Sequence, residues 1–214
     1  MPVHMIEKRP EKAERGDRDT IGGWPLLDPG ESWPACYCGD RMVLFFQVSI
    51  PADIPAFGGD HLLVFQCPTH DDVAVPKSRQ LPDGYWDTLT DPYDGPFWRI
   101  LLRTSGVPAT EADPYVQPLR LDLRPGTEMV DGGRGRQGFK IGGVASWAQY
   151  PEDYRCACGT ELTFLAQVPE NWGFDLWPMQ DGRDQVQLFL GNEIYILACP
   201  ARCHPEALWP VAQN

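Results

Sequence analysis

The sequence lacks a surplus of basic residues and has no long apolar run. Its 18 Lys and Arg residues stand against 30 Asp and Glu, which gives a formal net charge of −12. Binding to a nucleic-acid backbone needs a basic face, so we expect no nucleic-acid partner, whereas a basic protein partner is compatible with this charge. No stretch reaches the roughly 18 apolar residues of a membrane span, so we expect no membrane association.

The sequence also lacks stretches without proline or glycine that are long enough for extended helices. The 22 prolines and 21 glycines are spread along the 214 residues, and they divide the chain into short elements and turns. This distribution favours strands and loops over long helices. At 43% apolar and 22% charged residues, the composition is that of a folded protein with a core of its own. The sequence therefore predicts a predominantly β protein.

The N-terminal segment has no apolar run and lacks the pattern of a secretory signal. We expect a flexible, solvated lead-in over residues 1–20 and a cytoplasmic location. Thiols stay reduced in that compartment. The seven cysteines therefore need a role other than disulfide bonding.

One pattern occurs twice, at an offset of 120 residues. Residues 21–48 align without gaps on residues 141–168, and the aligned pairs include Ile-Gly-Gly, Cys-x-Cys-Gly and Gln-Val. After each Cys-x-Cys turn, β-branched and aromatic residues predict a strand. Each copy later has an apolar stretch that ends in Cys-Pro, at residues 61–68 and 193–200. A longer hairpin over residues 171–185 accounts for the greater length of the second copy.

The pattern predicts an internally duplicated β-rich unit. We place a first half at residues 21–124, a junction at residues 125–140 and a second half at residues 141–214, with the halves packed as one pseudo-symmetric domain. Further strands are expected at residues 97–104 and 115–125.

Each half supplies four candidate metal ligands. The first half has the spacing C-x-C, 28 residues, C-x-x-H, and the second has C-x-C, 40 residues, C-x-x-x-C. Structural zinc is bound tetrahedrally by four thiolates or imidazoles, which two short chelating pairs can provide. We predict two structural zinc ions, bound by two sets of ligands: Cys36, Cys38, Cys67 and His70 in the first half, and Cys156, Cys158, Cys199 and Cys203 in the second.

Alternatives to these ligand sets stay open. The cysteines could be small buried apolar side chains, while disulfides are disfavoured by their odd number. His204 follows Cys203 directly and could replace it as a ligand. Neighbouring side chains in an extended turn point apart, so one of the two is expected to bind, and Cys203 is preferred. His4 and His61 are expected to be surface or strand-edge residues.

The sequence contains no convincing catalytic motif. It has no H-E-x-x-H, G-x-S-x-G or Walker sequence, and residues 133–138 match G-x-G-x-x-G by letters alone. Four protein ligands leave zinc no open position for a substrate. With every cysteine assigned to zinc, none is free to act as a nucleophile. We predict no catalytic residues and lean against an enzyme.

The motifs around the two Cys-x-Cys turns resemble the YwqG family, also called the DUF1963 domain. They are "IGGWP" and "LFFQV" in the first half and "IGGVASWAQ" and "LTFLAQV" in the second. That family is related to the eukaryotic programmed cell death protein 2 and its yeast counterpart, which are ribosome-biogenesis proteins. The resemblance implies a β-rich α+β fold with an internal duplication and a role in binding a protein client. Val144 and Ala145 depart from the family's Gly-Gly-Tyr-Pro-type element.

We therefore predict a zinc-stabilised protein-binding module that is chaperone-like towards a basic client. Large aromatic rings beside acidic residues suit an extended basic polypeptide, although at least half of these rings are expected to fill the core or cover the faces of the sheet. They are Trp24, Trp33, Tyr85, Trp86, Tyr93, Trp98, Trp172 and Trp177. Two alternatives stay open: an enzyme with a cleft between the halves, for which residues 82–95 are the candidate stretch, and an immunity or stress factor that blocks a toxin. The sequence leaves the oligomeric state open.

Overall fold

The structure is a computed structural model that describes residues 1–72, 76, 78–87, 95–129, 134–180 and 182–214, without the side chains of residues 179 and 180. Parts of three predicted segments lie outside these residues: 88–94 in the candidate cleft stretch 82–95, 130–133 in the junction, and 181 in the hairpin over 171–185.

The described chain has strands as its main regular structure. It contains one short 3-10 turn, Leu188–Gly191. The strands are β1 Pro2–Lys12, β2 Thr20–Ile21, β3 Leu26–Leu27, β4 Val43–Ser49, β5 His61–Gln66, β6 Trp98–Arg103, β7 Val107–Pro108, β8 Leu119–Thr127, β9 Lys140–Gly142, β10 Thr163–Val168, β11 Gly173–Gln180, β12 Arg183–Gln187, β13 Glu193–Ala198 and β14 Leu208–Gln213. The predominantly β character is confirmed, and the described residues contain no α-helical layer to complete an α+β fold. None of the described helical segments has the length and the apolar composition that a membrane span requires.

Ten strands form one antiparallel sheet in the order β14-β13-β10-β9-β1-β8-β2-β4-β5-β6. The sheet curls until its two edges approach each other. The Leu102 amide on β6 donates to the Pro205 carbonyl just before β14, at 2.8 Å. The rings of Trp98 and Trp209 meet edge to face, with centroids 5.8 Å apart. The curled sheet is therefore nearly closed.

The N-terminal segment is part of this sheet. Strand β1 lies between β8 and β9 at the sheet centre, so the predicted flexible lead-in over residues 1–20 is wrong for Pro2–Lys12. Val3 and Ile6 are buried, while the charged residues that follow lie mostly at the exposed end of the strand. A strand needs only a few buried positions and two neighbours to pair with, which a search for a continuous apolar run does not detect.

The other predicted strands agree with the structure. Residues 97–104 contain β6, residues 115–125 contain most of β8, and the predicted hairpin at 171–185 is formed by β11 and β12. Strand β8 continues to Thr127, and so extends into the predicted junction. All six positions of β5 are buried, and the apolar run there is continuous because both faces of the strand are covered.

Both histidines expected at the surface or at a strand edge are buried. His61 is 1% exposed, on a strand with neighbours on both sides. Its Nε2 lies 3.2 Å from the side-chain oxygen of Gln47. Burial lowers the pKa of His61 to about 3, so the ring is neutral at pH 7. His4 lies on β1, and its Nε2 is 2.9 Å from a carboxylate oxygen of Asp53. Each histidine has a polar partner from a distant segment, which its own sequence neighbourhood does not reveal.

Candidate metal centres

The first cluster forms where the turn before β4 meets the end of β5. The turn is closed by two backbone hydrogen bonds, from Cys36 N to Asp40 O at 2.8 Å and from Gly39 N to Cys36 O at 2.9 Å. Gly39 has φ of +93°, a conformation that side chains disfavour, which explains the glycine at this position. Cys67 follows β5 immediately and is held by a 2.8 Å hydrogen bond from its amide to Phe97 O.

The four candidate ligands of the first cluster converge. The distance from Cys36 Sγ to His70 Nδ1 is 3.7 Å, and that from Cys67 Sγ to the same nitrogen is 3.5 Å. Cys38 Sγ lies 3.8 Å from Cys67 Sγ. All four donor atoms lie within 4.8 Å of one another.

The second cluster is built on the same kind of turn before β10. Cys156 N donates to Thr160 O and Gly159 N donates to Cys156 O, both at 2.8 Å. Gly159 has φ of +85°. Cys199 follows β13, and its amide donates to Ala207 O at 2.9 Å. The local backbone thus places one pair of sulfurs at the start of β10 and the other just after β13.

The second cluster consists of four sulfur atoms. Cys156 Sγ lies 3.4 Å from Cys203 Sγ, and Cys158 Sγ lies 3.6 Å from Cys199 Sγ. Cys199 and Cys203 are 3.8 Å apart, sulfur to sulfur. These four atoms also lie within 4.8 Å of one another.

Both clusters have the dimensions of a tetrahedral zinc site. Zinc–sulfur bonds of about 2.3 Å and zinc–nitrogen bonds of about 2.0 Å, arranged tetrahedrally, imply separations of about 3.8 Å between sulfurs and about 3.5 Å between sulfur and nitrogen. The separations quoted above range from 3.4 to 3.8 Å. Both donor sets could therefore hold a metal ion.

The exposure of the cysteines fits ligands better than buried apolar side chains. All seven lie among the described residues, and none forms a disulfide. Four are buried: Cys36, Cys67, Cys156 and Cys199. Three are exposed: Cys38, Cys158 and Cys203. Apolar packing alone does not explain three exposed sulfurs that each lie within 4 Å of another cysteine sulfur.

The surroundings shift the cysteine pKa values in opposite directions. Burial raises the pKa of Cys36 to about 12, which favours its neutral thiol at pH 7. Hydrogen bonding with the hydroxyl and the backbone of Thr160 lowers the pKa of the exposed Cys158 to about 6. A cation among the donors would favour the thiolate at every cysteine ligand.

The choice between Cys203 and His204 is decided by the direction of their side chains. Cys203 points into the second cluster. The ring of His204 stacks on Trp86 instead, with centroids 4.2 Å apart and planes inclined by 7°. Its Nδ1 accepts a hydrogen bond from the Glu206 amide at 3.2 Å. His204 therefore lies beside the cluster and is not one of its four donors.

Two residues near the second cluster were missed by sequence reasoning. The hydroxyl of Tyr85 lies 4.0 Å from Cys156 Sγ. The side-chain amide of Gln80 donates to the Cys156 carbonyl at 2.7 Å. Both residues precede Cys156 by more than 70 positions, and no local spacing links them to it.

Most of the aromatic rings considered for client binding pack in the core or against it. Tyr85 and Trp98 are almost fully buried. Trp33, Trp86 and Trp172 are partly buried and pack against the core. Trp177 is 59% exposed, and Tyr93 lies outside the described residues. Five of the eight rings therefore pack in the core or against it, which agrees with the expectation that at least half would fill the core or cover the sheet.

A cavity of about 310 Å³ lies between the two halves beside Cys199. Its charged side chains form ion pairs: Arg202 lies 2.9 Å from Asp60, and Arg103 lies 2.6 Å from Asp28. Each of these two carboxylates is therefore paired with an arginine.

No protein-family model matches the chain, and no curated protein matches it. The resemblance to the YwqG family stays a prediction from the motifs.

Proposed function

We propose that each cluster binds one zinc ion and that the protein is a zinc-stabilised binding module. The observation that carries this proposal is the pair of four-donor clusters with the dimensions of a zinc tetrahedron. Thiolate and imidazole are zinc's preferred structural ligands. Four protein donors complete the coordination of each zinc ion. The role of each metal is therefore structural: it joins the turn before one strand to the end of the strand paired with it.

We also propose that the two halves are copies of one unit. The strand pairing supports this. Thr20 pairs with Gln47 between β2 and β4, and Lys140 pairs with Gln167 between β9 and β10. Both members of the second pair lie 120 residues after those of the first, the same offset that aligns the sequences.

The position of the strand irregularities gives independent support. The register of β4 against β5 shifts between Leu44 and Phe46. The register of β10 against β13 shifts between Phe164 and Ala166, again 120 residues later. A β-bulge is a specific structural feature, and its recurrence at the same place is typical of duplicated units.

We propose a basic polypeptide as the binding partner. Conversion of seven thiols to thiolates and the gain of two Zn²⁺ would lower the formal charge from −12 to about −15. Such a charge favours encounter with basic partners at low salt. Because most of the aromatic rings pack in the core or against it, charge is the better support for this proposal. A chaperone-like role rests on the family resemblance.

Metal content is the direct test of the zinc proposal. We expect native mass spectrometry to find two zinc ions per chain, and thiol titration of the native protein to find few reactive sulfhydryls until a chelator is added. Apo-protein that folds normally with seven reactive thiols would contradict the proposal. Loading with other divalent ions is the control, since a thiolate-rich site prefers zinc to magnesium or calcium.

Salt dependence tests the proposed partner. The zinc-loaded protein, immobilised as bait, should enrich a basic protein at low salt and release it as salt rises, since exposed charges are screened within about 10 Å at 0.1 M. The captured protein is then purified and its affinity for the bait measured across the same salt range. An unrelated protein of equal net charge is the control bait. Equal enrichment on that bait, or an affinity independent of salt, would argue against a specific basic client.

A further inference from the structure

A segment of the first half lies against the second cluster. Residues 78–87 run beside the turn that contains Cys156. Leu81 N donates to Arg155 O at 2.8 Å, and Arg155 N donates to Arg79 O at 2.7 Å. Gln80 adds its 2.7 Å side-chain hydrogen bond to the Cys156 carbonyl. Three hydrogen bonds with the first half therefore fix the backbone of the turn that contains Cys156.

Tyr85 brings the same segment to a sulfur ligand. Its side chain is 1% exposed, and its hydroxyl lies 4.0 Å from Cys156 Sγ. A metal-bound cysteine is a thiolate without a proton, so in that state the tyrosine hydroxyl is the donor and the sulfur is the acceptor. Trp86 and Trp209 pack edge-on against the Tyr85 ring, with centroids 4.9 and 5.9 Å away, and fix its position.

Trp86, the residue after Tyr85, contacts the second cluster on the side of Cys203. Trp86 stacks on His204, the residue directly after the ligand Cys203. Arg99 on β6 donates to the Trp86 carbonyl at 2.5 Å and to the Glu206 carboxylate at 2.5 Å. The segment thus contacts both metal-binding turns of the second half and is tied to the first half at the same point.

We propose that residues 78–87 belong to the second metal centre and that Tyr85 is a positioning residue that stabilises the Cys156 thiolate by a hydrogen bond. This inference rests on the proposed metal binding. A hydrogen bond to a ligating sulfur orients the ligand and reduces the charge that the metal must neutralise. Both clusters have hydrogen bonds to sulfur within their own turns, from Thr69 N to Cys67 Sγ at 3.4 Å and between Thr160 Oγ1 and Cys158 Sγ at 3.3 Å, whereas the Tyr85 hydroxyl reaches the second cluster from the other half. The second metal is therefore held by both halves of the chain.

The test compares Tyr85→Phe with wild type, both loaded with Co²⁺, whose visible bands distinguish a four-sulfur site from a three-sulfur, one-nitrogen site. We expect about tenfold faster loss of metal from the four-sulfur site to a chelator, in line with substitutions beside metal ligands. Metal loss from the other site should be unchanged. The sulfur-to-cobalt charge-transfer band of the four-sulfur site should also shift, which a loss of packing alone would not produce. Tyr195→Phe is the matched control, because it removes a buried hydroxyl that accepts a hydrogen bond from Ala148 N at 2.8 Å and leaves Tyr85 in place.

The outcomes separate this inference from the metal proposal. Wild-type protein that binds no metal overturns both. Two bound ions, with wild-type release rates and an unshifted band in Tyr85→Phe, overturn the role of Tyr85 and leave the metal proposal standing. Should Tyr85→Phe fail to fold, Gln80→Ala decides instead. Gln80 lies on the exposed side of the segment, and loss of its bond to the Cys156 carbonyl should accelerate release from the four-sulfur site alone. An unchanged rate in that variant would overturn the assignment of the segment to the centre.

Discussion

Replacing Cys156 by serine is expected to remove one of two metal ions and to lower the stability of the protein by several kcal/mol. Cys156 is fully buried, and a serine hydroxyl does not ionise near neutral pH to replace a thiolate. Three sulfurs and the Tyr85 hydroxyl would be left around an incomplete site. In small zinc domains metal binding supplies about 10–16 kcal/mol of folding free energy. The large core of this chain retains part of the fold without it, so the loss should fall below that range.

Native mass spectrometry and thermal unfolding of Cys156→Ser provide the measurements. We expect one zinc ion per chain and a lower unfolding midpoint that excess zinc does not restore. Thr160→Val is a control that keeps all four donors and removes only the side-chain hydrogen bond to Cys158. It should retain two ions. Cys36→Ser should lose the other ion, because the two ligand sets share no residue. Two tightly bound ions in Cys156→Ser would show that Cys156 is not a ligand.

The members of the two clusters could be predicted because each cluster is made of two local pairs. Cys36 and Cys38 lie in one tight turn, and Cys67 and His70 lie in another. Strands β4 and β5 then place the two turns at the same end of an antiparallel pair, with Val43 opposite Gln66. Residues close in sequence fix each pair, and one strand pairing brings the pairs together. The same reasoning applies to the second set.

Features that depend on distant segments could not be predicted in this way. Strand β1 is central because β8 and β9 lie on either side of it, which the composition of residues 1–20 does not reveal. Tyr85 contacts Cys156 because the segment between β5 and β6 crosses to the other half. Likewise, the polar partner of His61 lies on the neighbouring strand. In each case the deciding interaction joins residues with no common motif.

A buried ion pair at the sheet centre gives the second large expected effect. Lys140 on β9 is 0% exposed, and its ammonium lies 2.7 Å from a carboxylate oxygen of Glu128, whose side chain is 3% exposed. Glu128 also accepts hydrogen bonds from the amides of Arg136 and Val144, at 2.9 and 2.8 Å. In the proposed duplication the position of Lys140 corresponds to Thr20, so the first half has no counterpart of this ion pair.

We expect Lys140→Met to destabilise the protein by about 3–5 kcal/mol, because removal of one partner leaves an uncompensated charge in the interior. For a chain of this length that is a decrease of roughly 10 °C in the unfolding midpoint. Adding Glu128→Gln should recover part of the loss, since the double variant buries no charge at this place. Arg9→Met on β1 is the matched control: its ion pair with Asp122 is half-exposed and should contribute at most about 1 kcal/mol. Equal unfolding midpoints for Lys140→Met and Arg9→Met would contradict this prediction. That result would mean that water reaches the Glu128 carboxylate once the lysine is gone, so that this part of the sheet opens more readily than the burial of the ion pair implies.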